Sequence, residues 1–329
     1  MGYRRTAALF CFLAVALAFF PTTAPAIIAD LGAAGPCGWG ALNLASEQDP
    51  LDTSNQIYIS SNNNNRRPGV YIGPGPFAGP ANVGAYRGVG TKTVQDDGWV
   101  QGAFYDHTGN VTNVLVQNGG TIDGGIIKTA GGDTILQNAY NAAATARGIL
   151  DTAAATLFIN DKLEIVGGGA LPVYNLNVIS GDYLLDIRDE LKIDNGGILA
   201  INAPLGSQVV IRTGKFIDIN NSSQVTLSGG ILCSDVIFYS ENASENIQIA
   251  NSSTAYGIFF APRADFQITN SSTLYGEAIV GGVLADDYQL QITNSSVIYS
   301  SCCIPIPPSV WLLGSGLIPL GLKLYRRKK

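Results

Sequence analysis

The sequence predicts a mainly β chain wound as a parallel β-solenoid with one long α-helix packed alongside, and three observations predict it. A short pattern recurs through the second half, as Ile217-Asp218-Ile219-Asn220-Asn221-Ser222-Ser223, Ile247-Gln248-Ile249-Ala250-Asn251-Ser252-Ser253, Phe266-Gln267-Ile268-Thr269-Asn270-Ser271-Ser272 and Leu290-Gln291-Ile292-Thr293-Asn294-Ser295-Ser296. Leu191-Lys192-Ile193-Asp194-Asn195-Gly196-Gly197 is a degenerate forerunner, and aligned on the Asn the spacings are 26, 30, 19 and 24 residues. That is the length of one solenoid coil with loops of variable size. Composition is the second observation: 39 Gly with only 13% charged residues suits turn-rich strands rather than amphipathic helices. The third is a single stretch of helical period, from a cap at Asp133 to about Ala154, with Leu136, Ala139, Tyr140, Ala143, Leu150 and Ala153 on one face.

Within each repeat, strand alternation sends residues such as Phe266 and Ile268 inward and Gln267 outward. The Asn falls where the chain turns, because it tolerates the left-handed conformation, and stacked coils align these Asn in a ladder. The N-x-S triplets are read as turns rather than glycosylation sites. After each turn a tyrosine recurs, at Tyr256, Tyr275 and Tyr299, with Thr226 at the equivalent earlier place. If Leu274 and Ile298 point inward, these tyrosines form an outward ladder presenting ring faces and hydroxyls. Together with Gln248, Gln267 and Gln291 they make the candidate adhesive face; a purely structural ladder is the competing reading.

Ahead of the repeats, residues 27–55 read as irregular, Asn62 to Pro80 as a polar loop, and Val83 to Ala130 as short strands between Gly and Asn turns. The two ends have a different character. Arg4 and Arg5, an apolar run from Thr6 to Phe20, and Ala24-Pro25-Ala26 compose a secretory signal over residues 1–26, with the mature chain starting near Ile27 and signal peptidase as an implied partner. The solenoid domain then occupies 27–301. Residues 302–329 begin Cys302-Cys303-Ile304-Pro305-Ile306-Pro307-Pro308-Ser309, continue through an apolar segment containing Val310, Trp311, Gly314 and Gly316, and close on Arg326-Arg327-Lys328-Lys329. A basic end after a short apolar segment is expected to stay cytoplasmic, as a transient transmembrane helix.

This tail resembles the exosortase-processed sorting signals of Gram-negative bacteria, the PEP-CTERM group, in the variant whose motif is V-P-L-P. The resemblance implies that Ile304, Pro305, Ile306 and Pro307 are the sorting motif, that Trp311, Gly314, Arg326 and Arg327 complete the signal, and that an exosortase-like peptidase at the inner membrane cuts it. The body is similar to the choice-of-anchor A family. The residues carrying this are Leu163-Glu164-Ile165-Val166-Gly167-Gly168-Gly169, Val173-Tyr174-Asn175-Leu176, Ser207-Gln208-Val209-Val210-Ile211, Thr226-Leu227-Ser228-Gly229-Gly230-Ile231, Gly257-Ile258-Phe259-Phe260-Ala261-Pro262 and Gly276-Glu277-Ala278-Ile279-Val280. The family resemblance implies a right-handed solenoid beside its helix, an adhesive role in biofilm or matrix, and a topology related to secreted ice-binding solenoids.

Several function classes are set aside on charge and motif. Between the two tails the body keeps all 25 acidic residues but only 12 of the 19 basic ones, a net −13 that opposes nucleic-acid binding. Gln95-Asp96-Asp97-Gly98 looks like a paired-carboxylate glycosidase motif but lacks its companions, and Asp286-Asp287 is an isolated pair. His107 is the sole histidine and has no nucleophile elbow beside it. Gly88 to Thr93 lacks the spacing of a phosphate loop. No C-x-x-C pair suggests zinc. Of the cysteines left after Cys11, a Cys37–Cys233 bridge is one reading and a plain buried thiol at Cys233 the favoured one. No enzyme activity and no cofactor are expected. The expectation is an exported cell-surface or matrix protein with exopolysaccharide as a candidate ligand; ice- or mineral-surface binding is the alternative, and a polysaccharide-active β-helix enzyme the second.

Overall fold

The computed structural model describes residues 30–31, 34, 39–43, 57–61, 67–72, 81–86, 91–106, 114–128, 134–240, 246–281 and 290–300. In chain order its first strands are β1 (Ala41–Asn43), β2 (Ile57–Ser60), β3 (Gly69–Ile72), β4 (Val83–Ala85), β5 (Lys92–Gln95), β6 (Trp99–Val100), β7 (Phe104–Asp106), β8 (Val114–Val116), β9 (Thr121–Ile122) and β10 (Ile126–Lys128). Helix α1 (Thr134–Thr152) follows. Then come β11 (Leu157–Ile159), β12 (Leu163–Val166), β13 (Val173–Asn177), β14 (Tyr183–Ile187), β15 (Leu191–Asp194), β16 (Ile198–Asn202), β17 (Val209–Thr213), β18 (Ile217–Ile219), β19 (Gln224–Ser228) and β20 (Val236–Ser240). The last are β21 (Ile247–Ile249), β22 (Thr254–Ala261), β23 (Phe266–Ile268), β24 (Thr273–Val280), β25 (Leu290–Thr293) and β26 (Val297–Ser300).

Every ladder between named strands is parallel, and the strands wind into a solenoid with three long faces. One, the glutamine face, has the order β12-β15-β18-β21-β23-β25-β2-β5-β8. The tyrosine face runs β13, β16, β19, β22, β24, β26, β3, β6, β9. The helix face runs β11, β14, β17, β20, β22, β24, β1, β4, β7, β10. Strands β22 and β24 belong to both of the latter faces and bend between them at Gly257 (φ 138°) and Gly276 (φ 149°).

The stack does not follow the sequence. The last coil of the chain, β25 and β26, stacks on the first, β2 and β3, with Ile57 opposite Leu290 and Gly69 opposite Val297. Among the described residues that last coil has no helix-face strand of its own. β1 takes the place, pairing Ala41 with Ala278 of β24 on one side and with Val83 of β4 on the other. Residues 27–55 were expected to be irregular; their described part therefore includes a strand, which closes a coil begun by the opposite end of the chain. Ser300 Oγ donates to the Trp39 carbonyl at that seam, 3.2 Å.

Because the first coils sit at one end of the stack, the chain must return to the other end, and α1 does this. It packs on the outside of the helix face: Leu136, Ala139, Ala143, Ala146 and Leu150 are buried against Leu42, Leu184, Val210, Ile237, Phe260 and Ile279. The expected stripe is observed, with Ala146 added and Tyr140 and Ala153 only partly buried; Asp133 lies outside the described residues. From Leu136, beside Gly84 of β4, to Ala153, beside Arg212 of β17, the helix rises about 26 Å at roughly 1.5 Å per residue. The five strand steps it crosses span about 24 Å at roughly 4.8 Å each. The lengths match. Alanine on this stripe lets the helix axis lie close to the sheet, and nothing bulkier is needed where Phe260 and Ile258 already fill the gap.

The interior is a column of stacked aliphatic rows. Ile165, Ile193, Ile219, Ile249, Ile268, Ile292, Ile59 and Val94 align in register and all are buried. Each isoleucine removed from water stabilises the fold by roughly 1.5–3 kcal/mol. The neighbouring row is broken at Lys92, whose ammonium meets Asp106 at 3.4 Å with both side chains fully buried. Burial pulls the Lys92 pKa below its ordinary value, against the opposing pull of Asp106. Cys233 sits in a short turn (Cys233–Asp235) between β19 and β20 and is disulfide-bonded, its partner lying outside the described residues. The plain-thiol reading is thus corrected: the residue is buried, but in a turn between strands and within a disulfide.

Candidate functional site

The repeat's Asn-Ser pair makes the corner between the glutamine and tyrosine faces. Two successive residues take left-handed φ there, as in Asn221 (53°) with Ser222 (62°), and likewise at Asn251, Asn270 and Asn294 with the serine after each. Asn carries this at low cost, and the stack adds a specific return. Asn294 Nδ2 donates to Asn270 Oδ1 at 3.0 Å, Asn270 to Asn251 at 2.8 Å, Asn251 to Asn220 at 2.7 Å, and Asn221 to Asp194 at 2.8 Å. The second serine turns inward, where the hydroxyls of Ser253, Ser272 and Ser296 each accept the backbone N–H of a serine one coil away. The Asn ladder expected from the repeat is present. In the first half of the chain Asp96 and Asp97 occupy this same corner with φ of 49° and 64°. Asp96 accepts from Ser60 Oγ and Asn118 Nδ2, so the acidic pair is a rung of the turn ladder.

Beyond the corner, alternation fixes the tyrosine face. Leu274 and Ile298 are buried inside, and Tyr256, Tyr275 and Tyr299 project outward, partly exposed, in one register. Rings of Tyr256 and Tyr275 stack at 4.7 Å with planes 13° apart, and Tyr275 and Tyr299 at 5.2 Å and 16°. The row continues where the repeat does not: Tyr71 of β3 pairs with Tyr299 and tilts against it at 5.7 Å, and Trp99 of β6 meets Tyr71 edge-on at 5.2 Å. Arg67 lies 5.6 Å over the Trp99 ring. The sequence signal for Tyr71 is Gly69-Val70-Tyr71-Ile72 beside Val297-Ile298-Tyr299-Ser300, visible only once the two coils are known to be neighbours.

Two expectations change. Stacking uses the ring faces of the inner tyrosines on each other, so the row offers edges and hydroxyls outward rather than open faces. Gln248, Gln267 and Gln291 do form an outward row, in register, but on the adjoining glutamine face across the Asn-Ser corner. Strand alternation continues unbroken only within a face, and the corner separates the two rows. Among the described residues, neither the Tyr256 nor the Tyr275 hydroxyl makes a hydrogen bond. Burial, followed by the neighbouring Tyr275, raises the Tyr256 pKa, which keeps that phenol a neutral donor.

Electrostatics distinguish the two faces further. Up to the bends at Gly257 and Gly276, the strands of the tyrosine face contain no Asp, Glu, Lys or Arg; the one such residue in these strands, Glu277, lies past the bend of β24 and is buried. One end of the glutamine face is charged and internally paired, with Lys162 to Glu164 at 3.0 Å, Lys192 to Glu164 at 3.8 Å and Lys192 to Asp194 at 3.6 Å. The Lys162 hydrogen bond holds the Glu164 pKa below its ordinary value, and burial raises that of Asp218. Among the described residues no group of three or more His, Cys, Asp and Glu is placed to hold a metal ion. No helix of the described residues is long and apolar enough to cross a membrane. The sorting residues Ile304 to Pro307, Trp311, Gly314, Arg326 and Arg327 lie outside the described residues, as do the signal segment, His107, Asp286 and Asp287.

No protein-family model matches the chain, and no curated protein matches it. Among solved structures it is similar to an ice-binding protein from the Antarctic ascomycete Antarctomyces psychrotrophicus, with 14% identity over 83% of this chain and 98% of that one, TM-score 0.47. It is also similar to an ice-binding protein from an Antarctic biological consortium (14% identity, 85% of this chain and 93% of that one, TM-score 0.48) and to one from an Arctic yeast (13%, 85% and 97%, TM-score 0.48).

Proposed function

We propose that this chain is a non-catalytic, exported surface or matrix protein whose tyrosine face binds an extended polymer, with a polysaccharide as its ligand. The observation that carries this reading is the uncharged outward row Tyr256, Tyr275, Tyr299 and Tyr71, with ring centroids 4.7 to 5.7 Å apart. Hydroxyls at regular intervals along the stack suit a chain of sugar rings laid parallel to the solenoid axis, hydrogen-bonding through its substituents while its apolar edges rest on ring edges. A stack of rings is also held rigid, so little side-chain entropy is lost on binding. Replacing Tyr256, Tyr275 and Tyr299 together by Ser tests it. Retention on host exopolysaccharide should fall at least tenfold while the melting temperature drops by only a few degrees. Undiminished retention by the folded triple variant removes this face as the binding site.

A flat face without charges also favours a second reading, binding to ice or a mineral surface. Growth inhibition of ice crystals by the same proteins separates the two: activity lost in the triple variant, with no polysaccharide retention in the parent, selects it.

Export and processing are part of the proposal and rest on the sequence of the two ends. Signal peptidase removes residues 1–26, and an exosortase-like peptidase acts at Ile304-Pro305-Ile306-Pro307. Intact-mass measurement on protein recovered from the surface of its host should find neither end. Species that still carry Arg326 to Lys329 there would contradict it.

A further inference from the structure

We propose that copies of this chain stack end to end, head to tail, through the open coils at the two ends of the solenoid. At one end β11, β12 and β13 each pair on one side only, with β14, β15 and β16. At the other, β8, β9 and β10 pair only with β5, β6 and β7. Among the described residues, six strands thus present an unpaired row of peptide groups, two or more residues long, on all three faces. Solenoids ordinarily close such ends with a polar terminal repeat, and exposed edges are blunted by charge or proline. Here the six edge strands contain only Glu164 and Lys128 as charged residues and no proline. Large apolar side chains stand exposed on them instead, Phe158 at 54% and Val173 at one end, Leu115 at 47% and Ile127 at the other.

The occupant follows from strand direction. Since every ladder is parallel, the β11–β13 end of one copy meets the β8–β10 end of the next with the same polarity on each face, which continues the existing pairing. Two like ends would meet antiparallel and break it. The molecule already contains one junction of this kind. β25 and β26 stack on β2 and β3 in register although they come from opposite ends of the sequence, so coil-to-coil pairing needs no continuous chain. A heterologous contact that does not close on itself yields filaments. This inference is independent of what the tyrosine face binds, although a filament would extend that row from copy to copy.

Sedimentation velocity on the full-length chain over a range of concentrations, with electron microscopy of the same samples, gives the first test. A concentration-dependent series of oligomers growing into filaments is expected, and a monomer at the highest soluble concentration overturns the proposal. The second test blocks one end at a time, with Phe158→Lys plus Val173→Lys or with Leu115→Lys plus Ile127→Lys. Each variant alone should remain monomeric. Mixed, they should form a one-to-one pair and nothing larger, because each supplies the end that the other lacks. Oligomers undiminished in either variant, or no pairing on mixing two folded variants, overturns it. Melting temperatures establish that both are folded, and a variant that is not is replaced by Val173→Asn or Ile127→Asn.

Discussion

Glu277 shows how far a single residue can depart from the pattern around it. It lies in β24 opposite Ile258, fully buried, and among the described residues neither carboxylate oxygen has a hydrogen-bond partner. Burial raises its pKa well above the ordinary carboxylate value. The sign of the consequence is fixed: the unfolded chain releases this proton near the usual pH and the folded chain resists. Stability is therefore complete below the unfolded pKa and is lost as pH rises from there toward the folded one. Glu277→Gln should match the parent at about pH 4 and exceed it in denaturant midpoint at about pH 8. A parent more stable at the higher pH would show that Glu277 has a partner. The burial of Glu277 left no local signal in the sequence, because past the Gly276 bend Glu277 stays on the outer side of the strand with Ile279, and that side is covered by a second apolar cluster drawn from distant segments. By contrast the repeat positions were readable to the residue: Phe266 and Ile268 are buried and Gln267 is not. Period-two alternation with one apolar side leaves only one register.

At the scale of elements, glycine decides two cases in opposite directions. Gly276 has φ of 149°, and a methyl added there would sit 1.9 Å from the Gly257 carbonyl oxygen in the next coil. Gly148, inside α1, would place a methyl in open space. Gly276→Ala should therefore cost several kcal/mol, by unbending a strand shared by two faces. Gly148→Ala should stabilise by about 0.5–1 kcal/mol through helix propensity alone. Thermal melts that ranked them in reverse would mean that β24 is not the bent strand described. The helix was legible from its period, its end at Thr152 falling close to the expected Ala154, but the cap at that end was not. The last turn contains no basic residue, and the cap comes from the sheet, where Arg212 donates to the carbonyls of Leu150 (2.6 Å) and Ala153 (3.2 Å) and pairs with Asp186. Tyr239 adds a hydrogen bond to Asp151. Capping by a residue some 60 positions away leaves no local signal. The same limit hid Tyr71 and the separation of the glutamine and tyrosine rows, since each depends on which coil lies next to which.

For the whole molecule, stacking order governs how the fold comes apart. A linear solenoid whose coils follow the sequence can fray from either terminus, because each repeat contacts only its neighbours. In this chain the first and last described strands, β1 and β26, both lie at mid-stack. β1 closes the coil opened by β25 and β26, so removing either end leaves one incomplete coil between two intact halves. Helix α1 then bridges that junction from β4 to β17, and the isoleucine row runs through it without a gap. The terminal coils have the opposite character, since β8 and β10 are largely exposed and lack partners on one side. Native-state hydrogen exchange should accordingly find the slowest amides in β1, β2, β25 and β26, opening only with global unfolding. Amides of β8 to β10 and of β11 to β13 should exchange through smaller local openings. If end-to-end stacking covers those edges, their protection alone should rise with protein concentration, while that of the junction stays constant. Early exchange at β1 and β25, as one half of the stack separates from the other, would instead mean that the seam between chain ends is the weakest layer, and that the two halves unfold as independent units.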